Sequence, residues 1–194
     1  MPRGLLICFE GLDQSGKQTQ AERLRDQLTA DGRNVRLLSF PDYDTPIGRE
    51  IGQALRGERE YGPDVMQLLY VANRYEWKGE LDRERDAGTV IVCDRYLASS
   101  VAYGEAQGLD PAWLLDIQRF LPQPDVTILL DIPPEVSAER KAADRDRYER
   151  DLALLARVRT SYLRQAGAGW VRLDARRDRA AVAADVYAAV RPRL

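Results

Sequence analysis

Residues 5–17 read Leu5-Leu6-Ile7-Cys8-Phe9-Glu10-Gly11-Leu12-Asp13-Gln14-Ser15-Gly16-Lys17. Leu5 to Phe9 is a short apolar run without polar alternation, the pattern of a strand covered on both faces. Gly11 to Lys17 then has the Gly-x-x-x-x-Gly-Lys spacing of a phosphate-binding loop, and Lys17 to Ala30 continues as a helical pattern ended by Asp31-Gly32. Glycines let such a loop curl until several N–H groups converge on phosphate oxygens. The helix N-terminus adds partial positive charge, and Lys17 reaches the β- and γ-phosphates. A Gly-containing turn before a helix is the plain alternative, and the strand before and helix after weigh against it. Gly11, Asp13, Gln14, Ser15, Gly16, Lys17, Gln18 and Thr19 are therefore the candidate ATP contacts. One position departs from the pattern. Gln18 stands where Ser or Thr ordinarily holds Mg²⁺, with Thr19 one place later, so the metal is expected to rest mainly on ATP and water.

Outward from this segment, Val35 to Phe40, Val90 to Cys93, Val126 to Leu130 and Trp170 to Leu173 repeat the apolar pattern. Helical patterns lie between them. One opens at Gly62-Pro63 and runs to about Ala87-Gly88. Others cover Leu97 to Gln107, Pro111 to Phe120, Pro134 to Lys141, Arg147 to Gln165 and Arg179 to Val190. Strand alternating with helix predicts an α/β fold of the P-loop NTPase kind: a five-stranded parallel sheet between two helical layers. No linker divides the chain, so residues 1–194 are expected to form one domain, with a lid around 139–150 where the charge is densest. In such sheets ligands bind beyond the carboxyl ends of the strands. That edge carries Gly11 to Gly16, Phe40-Pro41, Asp94-Arg95-Tyr96, Asp131 and Asp174-Ala175.

Composition narrows the chemistry. The chain has 194 residues, 44% of them apolar and 31% charged, with a net charge of −2. No global basic field exists, which argues against nucleic-acid binding, so an anionic ligand must be held by local Arg and Lys clusters. There is no histidine, which removes His general bases and His-ligated metals. Cys8 and Cys93 each lie in an apolar run and read as buried thiols of a reducing cytosol, with a disulfide as the minor alternative. Met1-Pro2-Arg3-Gly4 leads directly into the first strand without the long apolar region of a signal peptide. No apolar stretch nears the ~20 residues of a membrane span. A cytoplasmic protein is expected.

Phosphate binding does not name a reaction. The chain lacks the Asn-Lys-x-Asp motif of a GTPase, and no apolar strand ends in the Asp-Glu of a motor ATPase. The third strand ends instead in Asp94-Arg95. Asp94 suits ordering the loop or magnesium waters, and Arg95 suits clamping phosphate. A surface turn is the alternative for this tripeptide.

Phe9 to Gln20, Phe40-Pro41, Leu68-Leu69-Tyr70-Val71-Ala72-Asn73-Arg74, Asp94-Arg95-Tyr96 with Ser99-Ser100 and Tyr103, Leu121-Pro122-Gln123-Pro124-Asp125 and Arg147-Tyr148-Glu149 follow one another in order. This ordered set resembles the thymidylate kinase family from the start of the chain to about residue 150. The resemblance implies ATP-dependent phosphorylation of dTMP to dTDP by in-line transfer, with Mg²⁺, in a homodimer. It implies that Asp13 accepts from the sugar 3′-hydroxyl, that Tyr70 stacks on thymine and that Arg74 donates to its O4. By helix pattern alone Tyr70 reads as core and Arg74 as a solvated residue; the surrounding motif reverses that reading. Ser99 and Ser100 would bond the base edge or its waters, or else cap a helix. Tyr103 would crowd the sugar 2′ position or else pack in the core. Phe40 would lie beside the base. Tyr43 stands where some relatives place an Arg on the acceptor phosphate, so the phosphate clamp rests more on Arg95. Asp94 and Asp13 are the candidate metal contacts. Gln14 is neutral where some members carry a catalytic Arg, so a lid arginine is expected to act, Arg145 or Arg147 first and Arg140 next. Adenine is expected between a lid Arg and Asp174-Ala175. The rival readings are another pyrimidine nucleotide or nucleoside kinase, and a nucleotide-binding module without catalysis.

Overall fold

A computed structural model describes residues 2–140 and 151–194. Five strands appear where the apolar runs predict them: β1 (Leu6–Glu10), β2 (Val35–Ser39), β3 (Val90–Asp94), β4 (Val126–Asp131) and β5 (Trp170–Asp174). They pair in parallel in the order β2-β3-β1-β4-β5. The ladder runs on past the apolar residues, with Phe9 opposite Asp94, Glu10 opposite Leu129 and Asp131 opposite Asp174, so four acidic residues at the strand ends are fixed by the sheet itself.

The central strand is buried on both faces. Ile7 and Phe9 join Val92 and Ile128 in one core, whereas Leu6 and Cys8 join Ile91 and Cys93 in the other. This alternation of faces makes three layers from one sheet. The first core takes α1 (Lys17–Ala30), α4 (Leu97–Ala106), α7 (Leu152–Gln165) and α8 (Arg179–Val190). The second takes α3 (Pro63–Asp86) through Val71 and Leu81. Cys8 and Cys93 are buried free thiols, and burial pushes the Cys8 thiol up.

One helix and two helix boundaries differ from the sequence expectation by more than a residue or two. The segment before α3 contains an unforeseen helix, α2 (Pro46–Leu55), with Pro46 at its first turn and Thr45 Oγ1 accepting from Gly48 N at 3.0 Å. The helix α5 (Pro111–Asp116) stops short of Phe120, because residues 117–120 tighten into turns. The helix α7 opens at Leu152 and not at Arg147, because the Asp151 carboxylate accepts from Leu154 N at 2.9 Å and caps it. Of the expected lid, Glu139 and Arg140 close α6 (Pro134–Arg140), and Lys141, Arg145 and Arg147 lie outside the described residues.

Candidate functional site

The phosphate loop joins β1 to α1. Gly11 has φ 139°, and a Cβ there would lie 2.5 Å from the Leu130 carbonyl oxygen, so the close approach of loop and β4 excludes any side chain. Gly16, at φ 94°, is the N-cap of α1, whose first turn has no side-chain cap, so N–H groups there remain for a ligand. Lys17 is buried and donates to the Leu12 carbonyl at 2.8 Å. Burial, with Arg95 nearby, lowers its pKa to about 8. Gln18 is exposed and donates to Glu22 at 3.0 Å, along the helix surface. From α6, Ser137 donates to the Asp13 carbonyl at 2.7 Å. Arg140 donates to the Gln14 carbonyl at 3.1 Å and to the Ala175 carbonyl at 2.9 Å, tying the loop to the segment after β5.

Beside the loop opens a cleft with about 610 Å³ of empty space, part of it open to solvent, a size that suits a small ligand. Asp13, Phe40, Tyr70, Arg74, Arg95, Ser99, Ser100 and Tyr103 all line it, so the structure brings together every residue expected of the acceptor site. Tyr43, Leu55, Gln67 and Gln107 also line it. Tyr70 and Arg74 share one face of α3, as their spacing requires.

Arg95 ties the two halves. Its backbone sits at φ 64°, an uncommon conformation for a non-Gly residue. Its guanidinium donates to Asp13, to the Gly11 carbonyl at 3.1 Å and to Ser99 at 3.2 Å, and lies over the Tyr103 ring at 5.3 Å. Burial alone would raise the Asp13 carboxyl, but Arg95 and Lys17, with a 2.9 Å hydrogen bond from Tyr103, hold it down to about 2. Each Asp13 oxygen accepts one of these bonds, and a carboxylate has about four acceptor sites, so capacity for a hydroxyl remains.

Behind this layer lies Glu10, buried to 1% exposure, which the sequence reading gave no role. Its carboxylate accepts from Tyr96 N at 2.9 Å, from Ser99 Oγ at 2.6 Å and from the Tyr162 hydroxyl at 3.1 Å. Ser99 is thus committed to Glu10 and Arg95. Ser100 accepts from Arg74 at 2.6 Å and thereby orients it. Neither serine caps α4, whose first turn has no side-chain cap. Asn73 was also missed. It accepts from Asp42 N at 2.8 Å and donates to Thr45 at 2.8 Å, fastening the loop after β2 onto α3. The signals were faint: a polar residue ending an apolar strand, and one Asn on a long helix.

The Asp94 carboxylate ends β3 near enough for its charge to act on Lys17, and its Oδ1 is buried without a hydrogen-bond partner among the described residues. One such oxygen fits a hydrated Mg²⁺ carried by nucleotide phosphates. No cluster of three or more metal-binding side chains occurs among the described residues, so the protein alone offers no full coordination shell.

Known proteins resemble this chain in sequence and in fold. The family model for thymidylate kinase matches residues 9–186. A thymidylate kinase of Schizosaccharomyces pombe is 38% identical over 148 residues, covering 76% of this chain and 70% of that one. A probable thymidylate kinase of Pyrococcus abyssi is 38% identical over 173 residues, covering 84% and 83%. The solved thymidylate kinase of Candida albicans superposes with a TM-score of 0.88 at 30% identity, covering 98% of this chain and 92% of that one. With the family model matching residues 9–186, relatives 38% identical over most of both chains and a solved member superposing over nearly the whole fold, the chain belongs to the thymidylate kinase family.

Proposed function

We propose that this chain transfers the γ-phosphoryl group of ATP to dTMP, with ATP in the phosphate loop and dTMP in the adjoining cleft. The observation that carries this reading is the Arg95–Asp13 ion pair, which joins the loop to the cleft so that two anionic ligands meet at one guanidinium.

The division of work follows from chemistry. Loop N–H groups and Lys17 hold the donor phosphates. Arg95 grips the acceptor phosphate, and Asp13 accepts from the sugar 3′-hydroxyl while keeping Arg95 in place. Tyr70 stacks on the base, Phe40 flanks it, and Arg74 donates to O4, which suits thymine and opposes the amino group of cytosine. Tyr103, held against Arg95 and Asp13, crowds the sugar. The acceptor phosphate is already an anion at neutral pH, so positioning and charge neutralisation suffice without a strong general base. Asp94 would hold the Mg²⁺ carried by ATP, whose charge neutralises the β- and γ-phosphates. Arg140 already bridges the loop and Ala175, which favours it as a closing arginine beside Arg145 and Arg147. Val65 and Leu68 are exposed on α3 and give that helix an apolar face for a homodimer; a monomeric mass by light scattering would exclude it.

Side-by-side turnover of dTMP, dUMP, dCMP, AMP and thymidine with ATP and Mg²⁺ tests the reading. dTMP is expected to lead. Preference for a purine monophosphate or for unphosphorylated thymidine would overturn the assignment of the cleft.

A further inference from the structure

Gln67 stands three residues before Tyr70 and seven before Arg74 on α3, so all three lie on one stripe of the helix. It lines the same cleft and is 1% exposed. Its Oε1 is buried with no hydrogen-bond partner among the described residues. A buried amide oxygen without a donor destabilises a fold and calls for a reason. The stem is held in place: Gly104 of α4 packs so closely that a Cβ there would lie 3.3 Å from Gln67 Cγ.

Three other acceptors of the cleft already carry hydrogen bonds, and the capacity left on Asp13 is assigned to the sugar hydroxyl. Ser100 accepts from Arg74, Ser99 bonds Glu10 and Arg95, and Asp13 takes Arg95 and Tyr103. A thymine ring presents an acceptor at O4 and a donor at N3–H. Arg74 answers the first. An uncommitted acceptor on the same helix stripe is what the second requires.

We propose that Gln67 determines specificity by accepting, through Oε1, the N3–H of the incoming pyrimidine. This rests on the assignment of Tyr70 and Arg74 to the base site. Thymine and uracil carry N3–H, whereas cytosine presents a lone pair there, so Gln67 and Arg74 reject cytosine at two adjacent positions.

Gln67→Met keeps the length and removes the bare oxygen, so the variant is expected to fold with an unchanged or higher Tm. Its KM for dTMP is expected to rise ~10-fold with kcat little changed, the scale of a lost hydrogen bond to a buried group. The wild-type preference for dTMP over N3-methyl-dTMP is expected to shrink by a similar factor, and that over dCMP to narrow. Gln67→Leu provides the same comparison in a second background. If both variants keep the wild-type KM and the wild-type preference against N3-methyl-dTMP, the proposal is wrong. Wild-type protein that accepts N3-methyl-dTMP as readily as dTMP also overturns it. Tyr70→Ala and Arg74→Met separate the two failures. If they raise KM for dTMP while the Gln67 variants do not, only the role of Gln67 falls; if they too leave KM unchanged, the base site itself lies elsewhere.

Discussion

Arg95 does with one planar group what a lysine cannot. Its fork reaches Asp13, the Gly11 carbonyl and Ser99 together and stacks on Tyr103. The left-handed backbone at φ 64° costs roughly 1–3 kcal/mol for a non-Gly residue, and these bonds offset it. Arg95→Lys keeps the charge and loses the fork. It is expected to lower kcat/KM for dTMP by about 10²–10³-fold, the usual effect of losing a preorganised donor, while far-UV circular dichroism stays unchanged. A variant within a few-fold of wild type would remove Arg95 from the phosphate clamp. Lys17 gives a second test. With its pKa lowered to about 8, it is partly neutral above that pH. Bound phosphate favours the ammonium, so ATP binding near pH 8.5 should take up a proton, and affinity should fall as pH rises further. Calorimetry in buffers of different ionisation enthalpy measures that uptake. None at pH 8.5, after allowance for ATP's own protonation, would mean that Lys17 does not change its proton on binding. Lys17 and Arg95 were legible because motif spacing singles them out. Glu10 was not, since its partners Tyr96, Ser99 and Tyr162 are far away in sequence, and Gln67 was not, since only the fold shows its amide oxygen buried without a donor.

The strands were legible as elements because five apolar runs separated by helical patterns admit few other folds. The helix α2 was not foreseen, although Thr45-Pro46 and the spacing of Ile47, Ile51 and Leu55 mark a capped amphipathic turn. It is short and holds two glycines, so propensity alone argues against it. Packing decides it: Ile51 and Ala54 are buried with Met66 of α3. The helix positions the loop that carries Phe40 and Tyr43. Gly48 lies so close to that loop that a Cβ would stand 1.7 Å from the Asp42 carbonyl oxygen, which must then move. Asp42 is also held by Asn73 and by Trp77 Nε1 at 2.9 Å, so the strain passes to α3. Gly48→Ala is expected to cost about 1–3 kcal/mol, as overpacking does. At this chain length that lowers Tm by roughly 2–4 °C per kcal/mol. KM for dTMP should rise while kcat changes less, because the base-side loop moves and the phosphate loop does not. Steady-state kinetics and a thermal melt on the same preparation check both, and an unchanged Tm would mean that Asp42 yields freely.

Without histidine, the whole molecule has no side chain whose ordinary pKa lies between pH 5 and 8. Its stability should therefore be flat there, with the pH dependence at the two ends. At the acid end, Asp13 is held at about 2 against an ordinary 3.8, and Asp131 is lowered too, although burial opposes both shifts. Native carboxylates with depressed pKa bind fewer protons than the unfolded chain. Their contribution is present above about pH 4 and is lost as pH falls through 2. At the alkaline end two effects oppose each other. Lys17, lowered to about 8 from 10.5, makes the native state release its proton first, so stability rises as pH climbs above 8. The Cys8 thiol and the Tyr96, Tyr103 and Tyr162 hydroxyls are raised by burial and hold their protons longer than the unfolded chain, so stability falls above about pH 9–10. Urea midpoints without nucleotide should thus show a plateau from about pH 5 to 8, a small rise toward 9 and a decline beyond it. Lys17→Met should abolish the rise alone, and Asp13→Asn should flatten the acid limb. Saturating ATP should reverse the trend above pH 8, since the ligand favours the charged lysine that the free fold disfavours. Midpoints that rise equally in wild type and Lys17→Met would show that the buried ammonium is not the group that responds.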